Sequence, residues 1–203
     1  NLIFQGVAWL AIPMTFISML FVEDIVLILY GNSWSSIIGY VFVGFIWSCL
    51  SSLYGVTSRL LLAQEEIRTT VFLDAISGVL MVLFALIFLP FGVDSYLQSL
   101  VGHGFLMLGI SVICLVRSDG ISLSGLIWVS FSALLSSFTS IVIVWLLLES
   151  YDFFDNAILN ILVLGSLFAV CYVVTMRLFF PASVKGFTSV MPYSKHIQKY
   201  LLF

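Results

Sequence analysis

The sequence predicts an all-α integral membrane protein, a bundle of six transmembrane helices. Of its 203 residues, 62% are hydrophobic and only 8% are charged, whereas a soluble domain carries about 25% charged residues. The apolar residues fall into six runs, each long enough for a membrane-spanning helix of about 20 residues. All seven lysines and arginines fall on one side of this arrangement, which is typical of a membrane protein. Together these observations exclude a soluble domain.

The charged residues are sorted by loop, and this sorting predicts the orientation of the bundle. The even loops and the tail carry Arg59, Arg68, Arg117, Arg177, Lys185, Lys195 and Lys199. The odd loops carry no cation, and their acids are Glu23, Asp24, Asp94, Glu149, Asp152 and Asp155. Because cations are retained on the cytoplasmic side during insertion, we expect both ends of this segment to be cytoplasmic. The basic inner face favours anionic membrane lipids and gives no indication of nucleic-acid binding.

The six predicted spans form one unit over residues 1–180. Their approximate ranges are 2–22, 37–62, 69–89, 96–116, 123–148 and 157–180. Pro13 lies inside the first span and is expected to kink it, because proline has no N–H to donate within the helix. That helix can extend as far as Tyr30. The connecting loops are short, so consecutive spans are expected to be antiparallel neighbours.

Turn residues separate the spans and precede a polar tail. Gly31-Asn32-Ser33 predicts a tight turn on the outer face, with Gly31 just past a helix end, and Pro90 ends the third span. The tail, residues 181–203, is too charged to cross the membrane and is expected to lie on the cytoplasmic leaflet. The chain starts inside an apolar helix, which favours a fragment of a longer protein.

Four polar side chains inside the spans are candidates for binding a substrate or a coupling ion, because such groups are costly in hydrocarbon unless paired or hydrated. They are His103, Asp74, Arg59 and Gln98. Structural alternatives stay open for each kind of residue. Asp74 could be a helix-end carboxylate paired with Arg68 or Arg59, and His103 could hydrogen bond to a neighbouring helix. Arg59 could extend to the membrane interface, and Gln98 lies five residues before His103, on a different helical face.

Small residues recur at four-residue spacing in three spans. The fifth span holds Ser132, Ser136 and Ser140, the second holds Ser48 and Ser52, and the sixth holds Gly165 and Ala169. Such stripes are typical of close helix packing, and a hydroxyl-lined cavity for a polar substrate is the alternative. The cysteines, Cys49, Cys114 and Cys171, lie in three different spans without disulfide or metal spacing.

Catalytic signatures are missing from the sequence. An intramembrane serine protease of the rhomboid type needs Gly-x-Ser-Gly, and the nearest match, 75–78, has alanine first. The doublet Glu65-Glu66 does not make a paired acidic motif for magnesium. The sequence therefore predicts no catalytic residue, metal or cofactor. An intramembrane enzyme stays as an alternative, and Ser77 with His103 is the pair from which one could be built.

Several turns resemble those of one transporter family. Residues 26–36 (VLILYGNSWSS) resemble an element in which a helix ends in glycine, two polar residues follow, and a tryptophan opens the next helix. Those positions are Gly31, Asn32, Ser33 and Trp34. Pro13 is similar to a proline in the preceding helix, and 90–93 resembles a Pro-x-Gly-Val connection. Residues 61–69 resemble the inner turn of the family, although Glu65-Glu66 stands where glycine is usual.

These turns resemble the Wzx-type polysaccharide transporters, in the superfamily of multidrug, oligosaccharidyl-lipid and polysaccharide exporters. The resemblance implies the C-terminal six-helix half of a twelve-helix, MATE-like fold, with the N-terminal bundle as its partner. It also implies alternating-access transport of an undecaprenyl-linked oligosaccharide across the bacterial cytoplasmic membrane, for polysaccharide export. The matched positions are structural turns, so they imply no substrate-binding residue. The main alternative is a membrane assembly subunit without transport, which predicts a solid bundle with no polar groove.

Overall fold

The fold is known from a computed structural model that describes residues 2–119, 122–150 and 157–188. These residues form helices joined by short turns, without a strand. The helices are α1 (Leu2–Leu20), α2 (Val22–Tyr30), α3 (Ile38–Ala63), α4 (Ile67–Phe88), α5 (Val93–Asp119), α6 (Leu123–Ser150), α7 (Ala157–Phe179) and α8 (Pro181–Thr188), with 3-10 helices at Asn32–Ile37 and Leu89–Phe91. Six of them, α1 and α3 to α7, are long and apolar enough to cross a membrane. The predicted all-α membrane bundle is confirmed.

The first helix breaks at Phe21. This residue has φ −104° and ψ 22°, and α2 begins directly after it. The Phe21 N–H still donates to the Ile17 carbonyl at 3.2 Å, and the Phe21 carbonyl accepts from the Ile25 N–H at 2.8 Å. Phe21 and Val22 are both buried, so apolar packing holds the break in place. The segment up to Tyr30 is helical, but it forms a second helix and does not continue the first.

Pro13 lies buried inside α1, as its sequence position indicates. Because proline has no N–H, it cannot give the Trp9 carbonyl the bond that a helix normally supplies from four residues further on. The Tyr172 hydroxyl of α7 donates to this carbonyl at 3.0 Å. A neighbouring helix thus provides a donor at the point where Pro13 has none, which is the usual way membrane helices accommodate proline. The kink itself stays a prediction.

The helices pack in the lateral order α4, α5, α3, α1, α6, α7. The first core cluster joins α1, α3, α4, α5 and α6, and it is built of Phe4, Ala8, Ile12, Leu53, Leu61, Leu73, Met107, Leu115, Leu126 and Ala133. The second joins α6 and α7 to the end of α1, through Phe21, Val144, Leu164 and Phe168. These two clusters make α1 the centre of the bundle.

One expectation about neighbours is wrong. Along the described residues, α5 packs on α3 and α4 while α6 packs on α1 and α7, so consecutive helices α5 and α6 are not a packed pair. A short loop brings together only the connected ends of two helices. The side chains along the rest of their length decide where each helix packs. Here α5 packs on α3, and α6 packs on α1.

The serine stripe of α6 serves helix packing. Ser132, Ser136 and Ser140 are all buried. The Ser140 hydroxyl donates to the Ser136 carbonyl at 2.7 Å and lies 3.4 Å from the Thr175 hydroxyl of α7. In the sixth span, Gly165 lies close to α1, since a Cβ added there would be 3.5 Å from the Ile17 side chain. Close helix approach explains these positions.

The predicted turn at Gly31 is confirmed. Gly31 has φ +80° and its N–H donates to the Leu27 carbonyl at 2.9 Å, which ends α2. Its carbonyl then accepts from the Trp34 N–H at 3.2 Å, in the first turn of the 3-10 helix. Trp34 is exposed, with its ring centroid 6.0 Å from that of Tyr30. Pro90 lies inside the second 3-10 helix, and Gly92 after it has φ +109°.

The turn between α3 and α4 is a Schellman motif with glutamate in the glycine position. The Glu66 N–H donates to the Leu61 carbonyl, and the Glu65 N–H donates to the Leu62 carbonyl, both at 3.1 Å. This pattern requires a left-handed residue at Glu65, and Glu65 has φ +63°. Glu65 therefore adopts the left-handed conformation that glycine usually provides at this position.

The tail begins with a short helix. α8 contacts α7 and α1, and the Gln5 side chain of α1 donates to the Ser183 carbonyl at 3.2 Å. Lys185 is exposed. The predictions for Lys195, Lys199, Asp152 and Asp155 lie outside the described residues.

Candidate functional site

Polar side chains meet within the membrane-spanning region where α3, α4 and α5 contact one another. The Tyr54 hydroxyl of α3 donates to Asp74 Oδ1 of α4 at 2.8 Å. Three residues after Asp74, Ser77 contacts His103 of α5. About one turn further along α3 from Tyr54, the buried hydroxyl of Thr57 lies 2.7 Å from that of Ser111 on α5. We call Tyr54, Asp74, Ser77 and His103 the polar layer.

His103 is held against the backbone of α4. It is only 7% exposed, and its Nε2 lies 3.2 Å from both the hydroxyl and the carbonyl oxygen of Ser77. A carbonyl oxygen can only accept, so its contact requires a proton on Nε2. His103 therefore ties α5 to α4, as one of its two sequence interpretations requires.

The second ring nitrogen of His103 lacks a hydrogen-bond partner among the described atoms. Nδ1 is buried, and the ring meets Phe84 edge to face with centroids 6.0 Å apart. Of the two flanking glycines, Gly104 allows a close approach, because an added Cβ would lie 3.0 Å from the Leu50 side chain. Gly102 faces open space. Only one of the two glycines is therefore needed for packing.

The Ser77–His103 pair has the contact but not the protonation of a serine hydrolase dyad. A general base must accept the serine proton, whereas Nε2 carries its own proton when it donates to the Ser77 carbonyl. A third group usually orients the base through its other nitrogen, and none of the described residues bonds to Nδ1. The arrangement favours a helix–helix tether over nucleophilic catalysis.

Asp74 has a partner that sequence reasoning missed. Its bond comes from Tyr54, twenty residues away, and not from Arg68 or Arg59. Asp74 is exposed on the side of α4 that faces away from the bundle, and Arg59 is exposed near the C-terminal end of α3. A tyrosine within an apolar span is a polar signal of its own, and together with Asp74 it could have suggested this pair.

Gln98 lies apart from the polar layer. It is exposed on α5 and lines a shallow groove of about 480 Å³ with Phe88, Phe91, Ser95 and Ser99. The Ser99 hydroxyl donates to the Tyr96 carbonyl at 2.6 Å. Of the four candidates, Asp74 lies on α4 and His103 of α5 contacts α4 one turn further along, at Ser77. Gln98 lies outside this region.

A second polar feature runs along the seam between α1 and α3. A groove of about 190 Å³ is lined by Ala11, Met14, Thr15, Ser18, Phe45, Ser48, Cys49 and Ser52, and we call it the hydroxyl groove. Thr15 donates to the Ala11 carbonyl and Ser52 to the Ser48 carbonyl, both at 2.8 Å. Their hydroxyl oxygens keep lone pairs that can accept from a ligand.

The other side of the same seam is apolar. An open cavity of about 400 Å³ is lined by residues of α1, α3, α5 and α6, which include Ile12, Phe16, Leu53, Phe105 and Leu134. It lies where α5 and α6 fail to pack on each other. Thr15 and Cys49 line both this cavity and the hydroxyl groove. The α1–α3 seam therefore separates a polar surface from an apolar one.

Two acids lie beside the turn at Gly31. Glu23, Asp24, Asn32 and Ser35 line a groove of about 270 Å³ there. Burial, and then the charge of Glu23, raise the pKa of Asp24 above its ordinary value of 3.8. The described residues contain no group of three or more metal-binding side chains.

Comparisons with models of protein families, with curated proteins and with solved structures found no match. The fold itself defines the class: this is a multi-pass, all-α membrane protein. All three cysteines are free.

Proposed function

We propose that the chain is one six-helix half of a lipid-linked-saccharide flippase that works by alternating access. The sugar-bearing headgroup would cross along polar groups of this bundle and a second bundle, while the lipid chain stays in hydrocarbon. The proposal joins the sequence resemblance to a specific polar surface. It also places the protein in the bacterial cytoplasmic membrane, with the second bundle as its partner.

The hydroxyl groove is the observation that carries this proposal. Ser48 and Ser52 are exposed, and with Thr15 and Ser18 they form a polar strip across a membrane-spanning seam. Saccharides are recognised through their hydroxyl groups, which serine and threonine can match as donors and acceptors. A solid assembly subunit would need no such strip. The groove therefore supports transport over assembly.

Pro13 connects this surface to a possible movement. It lies on α1 between Ala11 and Met14, both of which line the hydroxyl groove. A proline position is where a membrane helix can bend, because one backbone hydrogen bond is absent. A change of bend at Pro13 would alter the width of the groove. The groove and a bend at Pro13 would together supply parts that alternating access requires.

The test replaces groove hydroxyls in the complete gene product. We expect deletion of the gene to abolish surface polysaccharide and to accumulate lipid-linked oligosaccharide on the inner leaflet. Ser52→Leu should reduce export at least about tenfold at normal membrane levels, because it fills the groove and removes an acceptor.

Ser166→Leu is the matched control. Ser166 is exposed on α7, and its hydroxyl donates to the carbonyl four residues earlier, as that of Ser52 does. It does not line the hydroxyl groove, so export should be unchanged. Unchanged export in Ser52→Leu, or a deletion strain without trapped lipid-linked oligosaccharide, would contradict the proposal and favour the assembly subunit.

A further inference from the structure

Asp74 places a carboxylate on an outward surface of the bundle, within a helix that is long and apolar enough to cross a membrane. It lies seven residues after Ile67, where α4 begins, which is roughly 10 Å along the helix at 1.5 Å per residue. Asp74 is exposed on α4. This helix is long and apolar enough to cross a membrane, and Asp74 lies within its first half.

The bond from Tyr54 satisfies only part of this group. A carboxylate can accept about four hydrogen bonds, and the described residues provide one polar contact, from the Tyr54 hydroxyl at 2.8 Å. An acid within a membrane-spanning helix is costly unless it is paired or hydrated. Lipid chains offer no hydrogen-bond donor or positive charge, so lipid chains alone are a poor covering for Asp74.

The surface around Asp74 is apolar and is not covered by the other described helices. On the side of α4 that carries Asp74, within about 80° of it around the helix at 100° per residue, the exposed side chains are Ile67, Val71, Met81 and Val82. An apolar face with one acid in it is complementary to an apolar helix with one base. Such acid–base pairs are the usual state of charged residues within membranes.

We propose that this face of α4 is a docking surface for a transmembrane helix that presents a lysine or arginine to Asp74. The charge of Asp74 selects the partner chemistry, and Ile67, Val71, Met81 and Val82 supply the packing surface around it. This inference does not depend on the flippase proposal, because an assembly subunit would use the same surface.

The experiment places a photo-crosslinking residue, p-benzoylphenylalanine, at Val71 of the complete protein in its native membrane. Val71 lies one turn before Asp74 and is 62% exposed, and Val170 on α7 is a matched control at 60% exposed. We expect the Val71 probe to give an adduct with one transmembrane segment, identified by mass spectrometry, that carries lysine or arginine near the linked residue. The Val170 probe should give lipid adducts.

Charge variants complete the test. Asp74→Asn should lower the yield of the Val71 adduct at least about tenfold, because it removes the negative charge that attracts the partner's lysine or arginine. Asp74→Glu should give the adduct at close to the wild-type yield, because it keeps the negative charge. This variant separates the effect of the charge from a general effect of substitution on folding. Lipid adducts at both probes, an adduct with a second copy of the chain, or an adduct segment without a basic residue would each overturn the proposal. An adduct yield that Asp74→Asn leaves unchanged would overturn it too.

Discussion

The hydrogen bond from Tyr172 to the Trp9 carbonyl makes a quantitative prediction about the α1–α7 contact. Pro13 cannot donate to this carbonyl, and the Tyr172 hydroxyl does so at 3.0 Å. Tyr172→Phe removes the donor and keeps the ring, which stacks on Phe168 with centroids 6.4 Å apart. A hydrogen bond of this kind contributes about 0.5 to 1.5 kcal/mol, and interhelical bonds in membranes average about 0.6 kcal/mol. We expect Tyr172→Phe to destabilise the fold by about 1 kcal/mol.

A second substitution isolates the role of the proline. In Pro13→Ala, the new N–H can donate to the Trp9 carbonyl within the helix. Tyr172→Phe should then cost at most about half as much as it does in the wild-type chain. The coupling energy from this double-mutant cycle should be about 0.5 kcal/mol or more.

The assay is equilibrium unfolding of all four variants in mixed micelles, followed by circular dichroism. Tyr40→Phe is the control, because Tyr40 is exposed in the first turn of α3 and its change should be close to neutral. Equal costs of Tyr172→Phe in the two backgrounds, within about 0.3 kcal/mol, would refute the reasoning. So would a neutral effect in the wild-type chain.

Three further predictions follow from single sites. Glu65→Gly should stabilise the fold by about 0.5 to 1 kcal/mol, because a left-handed backbone is costly for residues with a Cβ, and unfolding measurements will show it. Asp24→Asn should become more stable relative to wild type as the pH rises from about 3 to about 6. The pKa of Asp24 is raised in the folded protein, so the stability that the protonated carboxyl contributes is present below pH 3.8 and is lost above the raised value. Thermal unfolding in detergent measures this difference. His103→Gln in the complete protein should leave expression, export and the pH profile of export unchanged, whereas His103→Ala should cost about 1 to 3 kcal/mol of stability.

Each of these has a control and a contradicting outcome. Glu66→Gly should destabilise, since Glu66 has φ −78° and accepts a bond from Thr69; a destabilised Glu65→Gly would mean that the turn tolerates glutamate without strain. Glu23→Gln should reduce the pH effect at Asp24, and a pH-independent difference would contradict the assignment. Reduced export with a flattened pH profile in His103→Gln would replace the packing role of His103 with a coupling role.

Some features of the fold follow from local sequence. The turn at Gly31 could be predicted because a positive φ and a helix end are properties of a few adjacent residues. The Schellman turn at Glu65 could not be predicted in the same way, because its usual signal is glycine and the chain has glutamate there. The break at Phe21 carries no glycine or proline signal, and packing of buried side chains determines it.

The polar layer shows the limit of sequence reasoning about sites. Asp74 and His103 could be selected as candidates because ionisable groups within apolar spans are rare. Ser77 was named with His103 from the sequence, whereas Tyr54 was missed, because nothing in the local sequence places it beside a residue twenty positions away. Gln98 was selected as a polar side chain within the same span as His103, and the structure places it in a different groove.

Composition and charge order alone determined that this protein is a six-helix membrane bundle, because the cost of exposing polar backbone and charge to hydrocarbon depends on the chain and the bilayer. The expected cytoplasmic position of its cations comes from the same local information. Tertiary structure decided which helices touch: α5 lies against α3 and α4, and α6 lies against α1 and α7. These helices are apolar on nearly all sides, so their sequences do not determine how each is rotated about its own axis. Packing of particular side chains sets that rotation, and with it the hydroxyl groove, the polar layer and the exposed position of Asp74.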